Sequence, residues 1–241
     1  MDPFFADFKE NTGKKPALQN HDAHLLRLSW PPSLSLTQPQ EAALFSDNGA
    51  SMSLALVHSR AQVGVQAPAV SVETHLANGL PHLTLVGLPE TTVKESKDRV
   101  RSAIVNSGLS YPQRRITQNL APADLPKDGG RYDLAIALGI LAADGQVPTA
   151  TLADMECLGE LALSGKLRPV QGVLPAALAA REAGRALVVP RENAEEASLA
   201  GGLVVYAVGH LLELVAHLNG QVPLPPYAAN GLILNQRPYL T

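Results

Sequence analysis

Residues 158–184, LGELALSGKLRPVQGVLPAALAAREAG, constrain the fold more than any other stretch of this chain. Leu158, Leu161 and Leu163 are apolar around Glu160, the chain turns at Ser164 and Gly165, and Leu167 to Val170 lead back, a pattern that predicts a β-hairpin. Beyond Gly172 an apolar helix follows. Pro175 sits near its first turn, where a missing N–H costs nothing, and Gly184 is placed to take the left-handed conformation past its end. Hairpin, tight turn and helix form one unit.

The 241 residues are 46% apolar with a net charge of −3, enough for one sizeable core or two small ones. No run of about 18 apolar residues and no basic-then-apolar leader occurs, so neither membrane insertion nor secretion is indicated, and a cytoplasmic location is expected. The single cysteine, Cys157, has no internal disulfide partner and reads as a small core residue.

Every Phe (Phe4, Phe5, Phe8, Phe45) and the one Trp (Trp30) fall within the first 50 residues. With scattered prolines and no sustained period, residues 1–51 read as a leader or tag ahead of a start at Met52, or as a native disordered tail, with a helix possible at 38–46. Residues 52–219 form the domain. From Gly220 the sequence GQVPLPPY reads as a Pro-rich connector, so 220–241 is assigned as a linker.

Within the domain, residues 53–64, 67–79 and 82–87 are predicted to make an antiparallel meander, with Asn78-Gly79 as a turn. Residues 87–108 read as a helix with a Thr92/Glu95 capping box, an apolar face of Val93, Val100, Ala103 and Ile104, and a stop at Gly108. Its other face mixes Lys94, Glu95, Lys97, Asp98, Arg99 and Arg101, the signature of a solvated surface. A strand at 116–120, a loop at 122–133 and an all-apolar, hence buried, helix follow. The last third alternates helix and strand, with strands at 186–190 and 203–208 and a final helix at 210–218, which favours parallel pairing.

Three groups of residues are candidates for chemistry. His58, His75 and His82 lack zinc-site spacing and read as strand-face histidines. Ser164 with Lys166 beside it is a tempting peptidase pair, but adjacent strand positions face opposite ways and a turn leaves the lysine solvated. The loop at 122–133 brings Lys127, Gly129, Gly130 and Arg131 to a helix start, where free N–H groups favour anions, while Asp124, Asp128 and Asp133 oppose them and ordinary loop or subunit-interface use is the other reading. Together with Arg114 and Arg115 it supplies the candidate DNA-binding residues Arg114, Arg115, Lys127 and Arg131. Residues 52–241 hold 15 basic and 16 acidic side chains, so any nucleic-acid affinity must come from a local patch. Nothing in the sequence points to base-specific readout.

The hairpin unit resembles the proteolytic domain of Lon proteases, in which a strand ending G-E-[IV]-x-L-x-G-x-[VL]-x-P-[IV]-G-G precedes a helix. That family's nucleophilic serine lies in a P-K-D-G-P-S-A-G segment; here Pro126-Lys127-Asp128-Gly129 runs on through Gly130 to Arg131 at the serine position, and the lysine position is Leu174. Neither can serve as nucleophile or base. The words MSLALVHSRAQVGV, HLANGLPHLTLVGLPETTVKESKDRVRSAIVNSG and RRITQNLAPADLPKDGGRYDLAIALGIL are more closely similar to the N-terminal domain of the ComM/YifB family of Mg-chelatase-like AAA+ ATPases. That resemblance implies an α/β fold, a mixed sheet of the ribosomal protein S5 domain 2-like and Lon-protease-like kind. It also implies a following AAA+ motor that uses ATP and Mg2+, forms a homo-hexamer and works as a DNA helicase in branch migration during natural transformation. No G-x-x-x-x-G-K-[ST] occurs in this sequence, so ATP binding is expected of the motor and not of these residues. The domain's share is then DNA contact or ring assembly without catalysis, and a Lon-like serine peptidase with a non-standard dyad is the alternative.

Overall fold

The structure, a computed structural model, describes residues 53–127 and 129–228; the leader, the helix considered at 38–46 and the end of the Pro-rich segment lie outside the described residues. Seven strands form one sheet in the order β3-β4-β2-β1-β5-β8-β9, and β6 with β7 forms a separate hairpin. In chain order the strands are β1 (Ser53–Arg60), β2 (Ala69–Ala77), β3 (His82–Val86), β4 (Arg115–Ala121), β5 (Met155–Cys157), β6 (Glu160–Leu161), β7 (Leu167–Arg168), β8 (Ala186–Pro190) and β9 (Val205–Val208). The helices are α1 (Glu90–Asn106), α2 (Asp133–Ala143), α3 (Thr149–Leu152), α4 (Val173–Glu182), α5 (Ala194–Ser198) and α6 (Leu211–Leu218).

β1 and β2 pair antiparallel, as expected, but the meander stops there. β4 takes the place beside β2, in register from Ser71↔Ala121 to Ala77↔Arg115, and β3 pairs with β4 in parallel on the outside. The Asn78-Gly79 dipeptide makes a bend and not a hairpin. A buried polar pair marks the β2–β4 register: Gln118 Nε2 donates to Thr74 Oγ1 at 2.7 Å and to the Ile136 carbonyl at 2.9 Å. The parallel β3–β4 pair needs a crossover, and α1 supplies it.

α1 departs from expectation at its start. Pro89 is the N-cap, with no side-chain capping bond, and its carbonyl accepts Val93 N–H at 2.9 Å; Thr92 lies buried inside the first turn. With Glu90 as the first helical residue, Thr92 falls at the third position inside the helix and cannot cap it. The end is as read, with Gly108 at φ +74 and its N–H on the Val105 carbonyl. Every residue of α2 is buried, because it packs on β1 and β2 on one side and against α1 on the other.

Alternation along β2 sends Val70, Val72, Thr74 and Leu76 into the core and Ser71, Glu73, His75 and Ala77 to the opposite face. The first core, with α1, α2 and α6, covers one side of the sheet; a smaller one beneath α4 and α5 covers the other side only around β8 and β9. The Pro-rich segment is no free connector as far as it is described. Leu224 N–H donates to His217 Nδ1 at 3.0 Å, Tyr227 N–H to the Val205 carbonyl at 2.7 Å, and Leu224 packs on the first core. Cys157 is buried, and burial pushes its thiol up to about 12.

Candidate functional site

Arg131, at the position of the Lon serine, meets the segment that leads into α4, the helix that carries Leu174. Gly172 takes the left-handed conformation, φ +66, that starts α4, and a Cβ there would lie 2.6 Å from the Gln62 side chain. Arg131 reaches the same corner: its Nη1 donates to Gln62 Oε1 at 3.1 Å and to the Gln171 carbonyl at 3.4 Å. Arg131 is 8% exposed, its Nε and Nη2 find no acceptor, and burial lowers its pKa. Leu174 contributes its amide, which with that of Val173 donates to Glu196 Oε1 at 2.9 and 3.0 Å. The start of α4 is thus filled by the protein's own carboxylate.

The start of α2 is filled as well. Asp133 N–H donates to the Gly130 carbonyl at 2.9 Å and Leu134 N–H to that of Gly159 at 3.1 Å. Asp133 itself is buried, held by Ser96 Oγ at 2.8 Å and by Arg99 Nε at 2.7 Å, with the Leu161 amide at 3.3 Å. Burial nonetheless leaves its carboxyl above the ordinary value. Arg99 therefore turns inward, away from the solvated face assigned to it. At both helix starts, amides that could meet a phosphate are taken by the protein's own acceptors.

The four cations proposed to meet DNA do not share a surface. Lys127 is 1% exposed; its ammonium donates to the carbonyls of Pro122 and Leu125, and burial lowers its pKa, with Asp124 opposing. Lys127 and Arg131 are buried, with the Lys127 ammonium and Arg131 Nη1 turned to backbone and amide acceptors. Arg115 is exposed at the start of β4, and Arg114 beside it reaches Asn78 Oδ1 at 3.5 Å.

A second cluster escaped the sequence. Pro81, His82, Leu83, Lys97, Asp98, Arg101, Tyr111 and Gln113 line a cavity of about 230 Å³ where β3, α1 and the turn before β4 meet. The guanidinium of Arg101 lies over the Tyr111 ring, 5.4 Å from its centroid, and His82 is the register partner of Arg115. The i,i+4 spacing of Lys97 and Arg101 was the available signal; their meeting with Tyr111 depends on the β3–β4 crossover.

Ser164 and Lys166 are both exposed at the hairpin turn. There His210 Nε2 bonds to the Ser164 carbonyl at 3.0 Å while its Nδ1 accepts the Leu212 N–H at 3.1 Å, so the imidazole caps α6 and ties down the turn. Among the described residues no helix is long and apolar enough to cross a membrane.

A mixed sheet carrying a hairpin, with helices on both of its sides, is the frame of a Lon- or ChlI-like domain, and the family model described as subunit ChlI of Mg-chelatase matches residues 72–193. The chain belongs to this Mg-chelatase-like family, in its ComM/YifB branch. It is 58% identical over 174 residues to "Competence protein ComM" of Haemophilus influenzae, covering 72% of this chain and 34% of that protein. Over 170 residues it is 54% identical to the uncharacterized protein YifB of Salmonella typhimurium, covering 70% of this chain and 34% of that one. A Lon protease of Rhizobium meliloti is 26% identical over 169 residues, 65% of this chain and 21% of the protease. The chain spans about a third of the length of the ComM and YifB relatives.

Proposed function

We propose that these residues are the non-catalytic N-terminal domain of a ComM-like AAA+ ATPase that acts on DNA as a helicase, in branch migration during natural transformation. The 58% identity to a competence protein carries the proposal. The domain contributes DNA contact or assembly of a homo-hexamer, in the cytoplasm; ATP and Mg2+ belong to the AAA+ part. Arg131 and Leu174 at the dyad positions support a non-catalytic role, since a guanidinium and an isobutyl group supply neither nucleophile nor base. Fluorescence anisotropy of the chain with labelled single-stranded and forked DNA at two salt concentrations tests this reading. Salt-sensitive binding supports DNA contact, and its absence at low salt moves the domain's role to ring assembly.

The similarity to Lon favours one second reading, a serine peptidase using Ser164 and Lys166. A fluorogenic peptide assay with Ser164→Ala decides it. The expected result is no serine-dependent turnover.

A further inference from the structure

The cavity between β3, α1 and the turn before β4 has a composition that the rest of the described surface does not explain. Lys97 and Arg101 stand one helical turn apart on α1 and both line the cavity, and the exposed Arg115 is the strand partner of the lining residue His82. Asp98 is the one carboxylate in the lining. Such a group of cations has weak reason to gather for stability, because exposed charges of one sign repel. Tyr111 adds an aromatic surface, over which the Arg101 guanidinium already lies. Aromatic and guanidinium planes next to cations are what a single-stranded nucleic acid uses: bases stack on the flat groups while ammonium and guanidinium meet phosphates. At about 230 Å³ the cavity lies below the ~300 Å³ at which drug-sized sites begin, so it takes part of a nucleotide, the base against the Arg101–Tyr111 pair, with the backbone outside.

We infer that this notch at the β3 margin is the seat of one nucleotide of a single-stranded nucleic acid, with Lys97, Arg101 and Arg115 on its phosphates and the Arg101–Tyr111 plate against its base. The inference rests on the DNA-contact reading and moves the contact away from the 122–131 loop, whose cations are internal. Gln113 and His82 supply hydrogen-bonding groups at the rim, and stacking with phosphate contact is tolerant of sequence.

The test is an anisotropy titration of the whole chain with fluorescein-labelled oligothymidylate at several salt concentrations. It compares the unaltered chain with Lys97→Ala/Arg101→Ala, with Arg101→Lys, and with Lys166→Ala/Arg168→Ala as a control pair on the hairpin. Alanine is the best helix former, so the first double variant keeps α1. The seat requires that it lose about tenfold or more in affinity and that its log–log salt slope become shallower by about 1.4, the share of two phosphates on a single strand. Arg101→Lys keeps the slope and loses affinity through the lost stacking, and the control pair changes neither. Equal losses in the control, or unchanged affinity without Lys97 and Arg101, overturn the seat while leaving DNA contact standing. No binding by the unaltered chain overturns both.

Discussion

Arg60 and Glu156, 96 positions apart, close a bidentate ion pair, with Arg60 Nε 2.6 Å from Glu156 Oε2 and Nη2 2.7 Å from Oε1. Glu156 is 1% and Arg60 9% exposed by side chain. The remaining donors are also engaged: Arg60 Nη1 reaches the Ala67 carbonyl and Nη2 that of Ala179, each at 3.2 Å, while Arg185 approaches Glu156 Oε1 at 3.4 Å. Arg60 of β1 thus ties β5, the loop before β2 and α4 together. Glu156→Ala leaves Arg60 charged and buried, and a loss of about 3–5 kcal/mol in urea unfolding is expected. Arg60→Met with Glu156→Leu is expected to recover most of it, which identifies an uncompensated charge as the cause.

Lys127→Ala is expected to lower stability by about 1–3 kcal/mol, since it leaves the Pro122 and Leu125 carbonyls without their donor and removes the buried stem. DNA affinity is expected to stay within twofold. Thermal melting and anisotropy on the same preparation check both; a large affinity loss at unchanged stability would return Lys127 to the DNA surface.

The Pro-rich segment should respond to acid. Burial holds His217 below its ordinary pKa, and its neutral Nδ1 accepts the Leu224 N–H. A histidine whose folded pKa is depressed contributes stability that is present above its unfolded value of about 6.5 and is lost as pH falls through the folded value. His58 has the same sign, from burial first and Arg185 next, with Glu156 opposing. Hydrogen exchange at the Leu224 amide, corrected for its intrinsic pH dependence, is expected to lose protection between neutral pH and pH about 5. His217→Leu removes that pH dependence.

Gly139→Ala tests the closeness of α2 to the sheet. A Cβ there would stand 2.3 Å from Thr74 Oγ1 and 3.0 Å from Gln118 Nε2, the pair that marks the β2–β4 register. Overpacking of about 1–3 kcal/mol is expected, measured by chemical denaturation, together with shifted amide resonances at Thr74 and Gln118.

Much of the fold was legible where local pattern and tertiary outcome agree. The all-apolar run of α2 can only be buried, Gly108, Gly172 and Gly184 mark helix boundaries through their left-handed backbone, and the αβ units of the last third pair in parallel. Strand order was not legible, because β2 and β3 alternate alike and nothing local announces that β4 will enter between them. β5 has three residues, too few for a period, and its key group is a buried glutamate that looks polar in sequence. The site suffered most. A lysine and an arginine in a Gly-rich loop read as anion contacts, yet the Lys127 ammonium and Arg131 Nη1 turn to internal acceptors. Lys97 and Arg101 read as ordinary surface charge, and only the placement of α1 sets them against Tyr111.

The bond from the Tyr227 N–H to the Val205 carbonyl fixes where the chain leaves the sheet, at the β9 margin, while the β3 margin and its cations form the opposite edge. Six interstrand spacings separate those margins, about 29 Å at the usual ~4.8 Å each. A pull applied through the residues after Tyr227 and resisted at the β3 notch would therefore run across the hydrogen-bonded width of the whole sheet. Every ladder would bear it in series, and the three-residue β5, clamped by Arg60 and Glu156, would be the narrowest rung.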